Sequence, residues 1–286
     1  MDCEGEGGAS LRTRLPFSLD DLTAIVRRTG EEVLRHSPTL PTEEKGDGSP
    51  LTVADRAAHL TLERELGTLL PGTPCLSEES DPEAIRDRAN WDRFWLVDPV
   101  DGTKEFLKGT GEFTVNVAFV EGGRPIAGIV HAPALGRTFR GAEGWGAEAA
   151  EGDDAFRAIS SRRFRAGRPV LVASRDHAGP GVKALAGALG DNVEFTSMGS
   201  SLKFCLLAEG KADLYFRDRP TMEWDTGAAQ SVLEAAGGRV FTLDGASSGG
   251  TLRYNKETLT NLPFLAVGDP AGPWRDLLGR AGLAPR

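Results

Sequence analysis

The sequence Leu96-Val97-Asp98-Pro99-Val100-Asp101-Gly102-Thr103 ends an apolar run with two carboxylates three positions apart. The apolar residues 94–97 predict a buried strand. Two aspartates at the end of such a strand are costly unless a positive group neutralises them. Pro99 restricts the turn between them, and Gly102 allows a ligand to approach the backbone closely. Hard oxygen ligands beside backbone amides are typical of sites for Mg²⁺ and phosphate.

Three further acidic loci lie at the edges of predicted elements. Glu78 and Glu79 occupy a short polar segment, Asp225 precedes a small-residue helix, and Asp55 lies in the first turn of another helix. Each has an ordinary structural alternative: a solvated loop for the glutamates, an N-cap for Asp225, and a capping box of Thr52 with Asp55. The Asp-Pro-Val-Asp-Gly segment could likewise be a plain turn. These alternatives do not explain why all four loci occur together, whereas convergence on two or three divalent ions does.

Composition sets the class of protein. With 286 residues and 40% apolar composition, the chain suits one large domain or two closely joined subdomains. A net charge of −9 argues against a surface for duplex nucleic acid. Three cysteines without a CxxC spacing predict no disulfide framework and a reducing cytoplasm. No apolar stretch approaches the ~18 residues that span a bilayer, so we predict a cytoplasmic protein, leaving peripheral membrane association open.

The chain divides by pattern into a tail and two halves. Residues 1–16 have no signal-peptide pattern and predict a disordered tail. Residues 17–165 predict an α+β subdomain that carries most of the metal ligands, with two long helices and an antiparallel sheet. Residues 166–286 predict an α/β subdomain, because short strands alternate with short helices. The halves are not independent, since Asp225 in the second must reach Asp98 in the first.

Four motifs together carry a family resemblance. They are KGDGSPLTVAD (residues 45–55), SEE (77–79), WLVDPVDGTKEF (95–106) and WDTGAA (224–229). This set resembles the inositol-monophosphatase-like Mg²⁺-dependent phosphatases. Residues 98–118 and 199–216 are similar to the bacterial type of 3'(2'),5'-bisphosphate nucleotidase within them. The resemblance runs from about residue 17 to residue 267 and implies an α+β fold, a layered αβαβα sandwich.

The resemblance also implies a metal centre. Two Mg²⁺ ions would be bound, with a third, weaker ion sharing Glu78. The first ion would take Glu78, Asp98 and the carbonyl of Val100. The second would take Asp101, Asp225 and Asp98, which bridges the pair. Glu79 would lie beside these ligands without binding an ion, or face solvent.

The same resemblance implies roles in catalysis and substrate binding. Asp55 and Thr103 would together orient and deprotonate the attacking water, and the amides of Gly102 and Thr103 would hold the scissile phosphate. Asp225 would also contact the substrate. Contacts to the nucleoside and its second phosphate are implied for His177, Ser200, Lys203 and Arg217. The ordinary structural alternatives are a loop histidine for His177, a helix-surface lysine for Lys203 and a strand-edge arginine for Arg217.

The implied activity is Mg²⁺-dependent removal of the 3'-phosphate from adenosine 3',5'-bisphosphate, and from its 5'-phosphosulfate relative. The product would be AMP or the 5'-phosphosulfate. The resemblance also implies a role in sulfur metabolism and inhibition by Li⁺. The partner is thus a small nucleotide bisphosphate, and oligomeric state stays open. The first alternative is the same chemistry on inositol monophosphate or another small sugar phosphate. The second is a non-catalytic phosphometabolite-binding protein, which should have lost a ligand or the Asp55–Thr103 pair.

Overall fold

The computed structural model describes residues 15–36, 43–44, 50–173, 179–243 and 250–283. Most of the predicted tail, 1–16, lies outside them. Within these ranges the chain forms seven α-helices and sixteen β-strands. The helices are α1 (Leu19–Arg35), α2 (Val53–Leu69), α3 (Thr103–Leu107), α4 (Pro180–Leu189), α5 (Leu202–Ala208), α6 (Gly227–Ala235) and α7 (Trp274–Arg280). The strands are β1 (Glu43–Glu44), β2 (Pro50–Leu51), β3 (Cys75–Ser77), β4 (Arg93–Asp101), β5 (Thr114–Glu121), β6 (Arg124–Ala132), β7 (Arg137–Ala142), β8 (Gly146–Glu151), β9 (Arg157–Ile159), β10 (Val170–Ala173), β11 (Glu194–Ser197), β12 (Leu214–Arg217), β13 (Thr221–Met222), β14 (Arg239–Thr242), β15 (Thr260–Asn261) and β16 (Phe264–Val267).

Two large sheets and three helical layers form the architecture. Strands β3 to β9 make a seven-stranded sheet in chain order, parallel between β3 and β4 and antiparallel elsewhere. A five-stranded sheet has the order β11-β10-β12-β16-β14. Helices α1 and α2 cover the outer face of the first sheet, α5 and α6 fill the space between the sheets, and α4 and α7 cover the second sheet. The predicted αβαβα sandwich is confirmed.

Strand β4 is buried on both faces, as its continuous apolar run predicts. Trp95 and Val97 pack with α1 and α2, whereas Phe94 and Leu96 face the helices between the sheets. This alternation follows from the two-residue period of a strand. No helix within the described part of the chain is both long and apolar enough to cross a membrane.

The structure differs from the predicted turn after Val97. Strand β4 continues through Pro99 to Asp101, and its register against β5 shifts between Asp98 and Asp101. A register shift tolerates Pro99, which has no amide hydrogen to give to the ladder. Both aspartates are therefore carried by a strand rather than by a loose turn.

Helix α6 lies unusually close to the first sheet. A Cβ added at Gly128 on β6 would lie 2.2 Å from Ser231 Oγ and 2.6 Å from the Ala228 carbonyl oxygen. One added at Gly141 on β7 would lie 2.9 Å from Val232 Cα. Only glycine permits this approach, and it brings the beginning of α6 to the end of β4.

Candidate active site

Three carboxylates from distant parts of the chain meet at the end of β4. Asp98, Asp101 and Asp225 each offer an oxygen, and these oxygens lie within 4.8 Å of one another. Asp98 and Asp101 belong to β4, and Asp225 comes just before α6. The close docking of α6 on β6 and β7 therefore completes the cluster.

The electrostatics of this cluster favour a cation. Burial raises the pKa of Asp98 well above its usual value, and the charges of Glu78, Asp101 and Asp225 raise it further. Burial, then the charge of Asp101, raises the pKa of Asp225 to about 8. Burial also raises the pKa of Asp101, opposed by Lys203. One buried and two partly buried carboxylates, held this close together with raised pKa values, are a donor set that fits a hard divalent cation.

Glu78 and Val100 lie beside the cluster. The amide of Glu78 donates to the Val97 carbonyl at 3.1 Å, which extends the β3–β4 pairing and brings Glu78 close enough to raise the pKa values of Asp98 and Asp225. The amide of Val100 donates to Asp98 Oδ1 at 3.1 Å. Its carbonyl oxygen accepts from the Thr103 hydroxyl at 3.2 Å.

Asp55 combines both interpretations offered by the sequence. Its Oδ2 accepts from the Thr52 amide at 2.7 Å and from the Thr52 hydroxyl at 2.5 Å, so the capping box exists. It is also buried, and its charge contributes to the raised pKa of Asp98. The family resemblance implies that Asp55 accepts from the Thr103 hydroxyl, which in this structure donates to the Val100 carbonyl.

A cleft of about 630 Å³ opens beside the carboxylates. Gly102, Ser200, Lys203 and Arg217 line it together with Asp101 and Asp225. Lys203 is buried, which lowers its pKa, and its Nζ donates to the Ser200 carbonyl at 2.7 Å. The buried Nε of Arg217 has no hydrogen-bond partner among the described residues. His177 lies outside the residues that the structure describes.

Two aspartates of the site accept backbone amides near the beginnings of helices. Helix α5 begins at Leu202, and the Ser201 amide before it donates to Asp101 Oδ2 at 2.6 Å. Asp225 is not the N-cap of α6, which is Thr226; its Oδ2 accepts from the Met222 amide at 2.8 Å.

Sequence patterns did not identify several polar residues of the site. Thr114, Asn116 and Ser201 are buried around Asp101. The signal was present, because Thr114 and Asn116 are two polar residues on one face of an otherwise apolar strand. Buried Glu223 accepts from the amides of Asn255 and Lys256 at 2.6 and 3.0 Å, which fastens that loop beside Asp225. Nothing in the local pattern distinguished Glu223 from a surface glutamate.

The chain is similar in sequence to known proteins of one family. A profile described as the inositol monophosphatase family matches residues 19–268. The 3'(2'),5'-bisphosphate nucleotidase CysQ of Escherichia coli (strain K12) is 44% identical over 232 residues, covering 79% of this chain and 91% of that protein. The CysQ protein of Salmonella typhimurium is 42% identical over 252 residues, or 86% and 98% of the two chains.

Solved structures agree on the fold. CysQ from Bacteroides thetaiotaomicron, described as a bacterial member of the inositol monophosphatase family, superposes with a TM-score of 0.74 at 37% identity. The alignment covers 89% of this chain and 99% of that one. An inositol monophosphatase from Thermotoga maritima superposes with a TM-score of 0.73 at 22% identity, covering 92% and 96%, which bears on the fold alone.

Proposed function

The chain belongs to the inositol monophosphatase family, and from that premise we propose that it is a Mg²⁺-dependent 3'(2'),5'-bisphosphate nucleotidase. The observation that carries the proposal is the pairing of two unlike regions in one cleft. Two carboxylates, Asp101 and Asp225, line this cleft together with two cations, Lys203 and Arg217. An oxygen of Asp98 lies within 4.8 Å of oxygens of both carboxylates. A substrate with two separate phosphates can use both regions.

The substrate class follows from this division. The proposed reaction removes the 3'-phosphate of adenosine 3',5'-bisphosphate to give AMP and phosphate, and acts likewise on the 5'-phosphosulfate relative. The phosphate that is not cleaved would bind Lys203 and Arg217, because a guanidinium and an ammonium suit an anion. His177 and Ser200 are proposed to contact the nucleoside. A role in sulfur metabolism and a cytoplasmic location belong to the same proposal.

The metal part of the proposal rests on the donor set. Glu78, Asp98 and the Val100 carbonyl would hold one Mg²⁺, and Asp98, Asp101 and Asp225 would hold another, with a third ion sharing Glu78. When bound, the ions would supply neutralisation of phosphate charge and a lower pKa for the attacking water. The close spacing of the three aspartates and their raised pKa values support this use. We also propose that Li⁺ inhibits the reaction, because it is similar to Mg²⁺ in size and lower in charge.

The remaining chemistry belongs to side chains and amides of the chain. Gly102 and Thr103 would bind the scissile phosphate through their backbone N–H groups. The Thr103 hydroxyl would orient the attacking water and pass its proton toward Asp55. This requires the hydroxyl to turn from the Val100 carbonyl, to which it donates at 3.2 Å, toward Asp55.

Phosphate release from two substrates tests the function. The purified chain is assayed with adenosine 3',5'-bisphosphate and with inositol 1-phosphate, each with Mg²⁺ and with a chelator. We expect release only with Mg²⁺ and at least a tenfold higher kcat/KM for the bisphosphate. A preference for inositol 1-phosphate would instead support the sugar-phosphate alternative. No release from either compound would support a binding protein.

A further inference from the structure

A buried series of polar side chains joins Asp101 to the segment that carries Lys203. Thr114 and Asn116 lie on β5, and Ser200 and Ser201 come just before α5. Thr114, Asn116 and Ser201 are exposed by only 0, 1 and 2%. Groups this buried are costly unless their hydrogen bonds are satisfied, so each contact needs a partner.

The direction of the hydrogen bonds can be assigned by counting hydrogens. The Asn116 amide donates to the Asp101 carboxylate through Nδ2 at 3.4 Å, so Asn116 Oδ1 accepts from the Ser201 hydroxyl at 2.9 Å. Ser201 has then used its hydrogen, and it accepts from Thr114 Oγ1 at 2.9 Å. Thr114 Oγ1 also lies 2.8 Å from Ser200 Oγ and 3.5 Å from Asp101 Oδ2, and the Ser200 side chain itself hydrogen-bonds the Asp101 carboxylate. The series therefore joins Thr114 and both serines to Asp101.

The series ends on one oxygen of Asp101. Oδ2 accepts from both Asn116 Nδ2 and the Ser201 amide, the second at 2.6 Å. A backbone amide and a buried side chain on the same oxygen determine the rotation of the carboxylate. At the other end, the Ser200 carbonyl accepts from Lys203 Nζ at 2.7 Å. Ser200 holds a left-handed backbone, with φ of 49°, which is uncommon for a residue with a side chain.

We propose that Thr114, Asn116 and Ser201 are positioning residues that hold Asp101 and the Ser200–Lys203 segment in one fixed relation. The inference rests on the proposed function, in which Asp101 binds the cation and Lys203 binds the phosphate that is not cleaved. Loss of the series should therefore weaken both divalent-cation binding and bisphosphate binding. A monophosphate that does not reach Lys203 should be affected through the cation alone.

The test uses two substitutions at one position. Thr114→Val has nearly the same shape but lacks the hydroxyl, whereas Thr114→Ser keeps it. Thr29→Val is the matched control, because Thr29 is also fully buried but its hydroxyl bonds the Ile25 carbonyl within α1. The dissociation constant for Mg²⁺ is measured by calorimetry without substrate. KM and kcat are then measured at saturating Mg²⁺ for adenosine 3',5'-bisphosphate and for inositol 1-phosphate.

We expect Thr114→Val to bind Mg²⁺ about fivefold more weakly, the equivalent of one ordinary hydrogen bond at ~1 kcal/mol. Its KM for the bisphosphate should rise about fivefold, with KM for inositol 1-phosphate nearly unchanged and kcat within about threefold. Thr114→Ser should stay within twofold of wild type in all three quantities. Ser201→Ala, which keeps the amide bond to Asp101, should act in the same direction if Thr114→Val does not fold.

Equal Mg²⁺ affinity in wild type, Thr114→Val and Ser201→Ala would overturn the proposal. So would a loss in Thr29→Val as large as that in Thr114→Val, because general destabilisation would then account for both. Wild-type protein that binds Mg²⁺ but releases no phosphate contradicts the proposed function. In that case the Mg²⁺ affinities of the variants still decide whether the series positions Asp101.

Discussion

Asp98 is the residue of the site whose ionised form is most strongly disfavoured by its surroundings. It is 1% exposed, and burial together with the charge of Glu78 disfavours its ionised form. Asp98→Asn should lower turnover roughly 1,000-fold or more, since it removes the proposed bridging ligand. In the presence of a chelator, the same substitution should raise Tm by roughly 2–8 °C. It relieves ~1–2 kcal/mol of repulsion, and each kcal/mol is worth about 2–4 °C in a chain of this size.

Phosphate release and thermal unfolding check both halves of this prediction. Asp92→Asn, at an exposed position just before β4, is the control and should change neither quantity. Near wild-type turnover in Asp98→Asn would contradict the bridging role. A lower Tm in chelator would contradict the claim that the carboxylate is a liability when no cation is bound.

The roles of Asp55 and Thr103 can be distinguished experimentally, because Asp55 also belongs to the capping box of α2, whose N-cap is Thr52. Thr103→Val should lower turnover ~100- to 10,000-fold with little change in Tm, since it removes only a proposed proton path. Asp55→Asn should lower turnover similarly and also destabilise the fold by ~1 kcal/mol, because the Thr52 amide and hydroxyl both donate to Asp55 Oδ2. Turnover and urea unfolding of each variant test this.

The double variant of this pair gives the sharper result. If the two residues share one path, Thr103→Val with Asp55→Asn should be little slower than the worse single variant. Losses that multiply would mean that the two residues act separately.

Helix α6 is the element that makes the site possible, because it brings Asp225 to β4. Gly128→Ala should destabilise the fold by ~1–3 kcal/mol, since the new Cβ would lie 2.2 Å from Ser231 Oγ. It should also weaken Mg²⁺ binding, because α6 would shift away from the sheet and move Asp225 away from β4. Urea unfolding and calorimetry measure the two effects.

The control for Gly128 lies in another helix. Gly187 in α4 has nothing within 4 Å of an added Cβ, so Gly187→Ala should stabilise by ~0.5–1 kcal/mol and leave Mg²⁺ binding alone. Unchanged Mg²⁺ affinity in a destabilised Gly128→Ala would show that Asp225 does not depend on this docking.

Element patterns could be predicted from the sequence to different extents. The two long helices predicted within residues 17–165 and the apolar run of β4 come from local patterns, and the structure contains these elements. The extension of β4 through Pro99 could not be predicted, because a register shift depends on the partner strand. The role of Thr114 and Asn116 depends on Ser201, which lies far along the chain. That Asp225 reaches the cluster follows from small residues on three elements, not from its own neighbours.

At the scale of the whole molecule, one buried histidine, His131, should make a destabilising contribution as pH falls below neutral. Burial, opposed by a hydrogen bond to the Arg137 carbonyl and assisted by the charge of Arg27, lowers its pKa from 6.5 to about 4. Between those values the unfolded chain binds a proton that the folded protein does not. The free energy of unfolding should therefore fall as pH falls, by about 2 kcal/mol between pH 7 and pH 5 from this group.

The variant His131→Gln isolates this contribution. Glutamine keeps a polar donor but does not titrate. The change in unfolding free energy from pH 7 to pH 5 should therefore be about 2 kcal/mol less favourable in wild type than in the variant, whatever the other groups contribute to both. Urea unfolding in chelator, at pH 7 and pH 5, gives both differences. Parallel declines in the two proteins would assign the pH dependence to other groups.

The layered architecture of the whole chain was expected from the family resemblance rather than from the periodicity of single elements. Pattern alone separates a half with a meander from a half with alternating strands and helices. It does not say that α5 and α6 lie between the sheets, because that arrangement is determined by which faces find one another. The proposed two-subdomain division remains a prediction.

The shared carboxylate cluster has a consequence for the order of synthesis. Asp98 and Asp101 leave the ribosome long before Asp225, so a partly made chain holds two like charges whose third member has not yet been translated. Helix α6 closes the arrangement only once the polypeptide has passed Ala235. A nascent protein should thus gain its affinity for divalent cations late and abruptly, and capture of the cation would mark the moment at which α6 has docked on the first sheet.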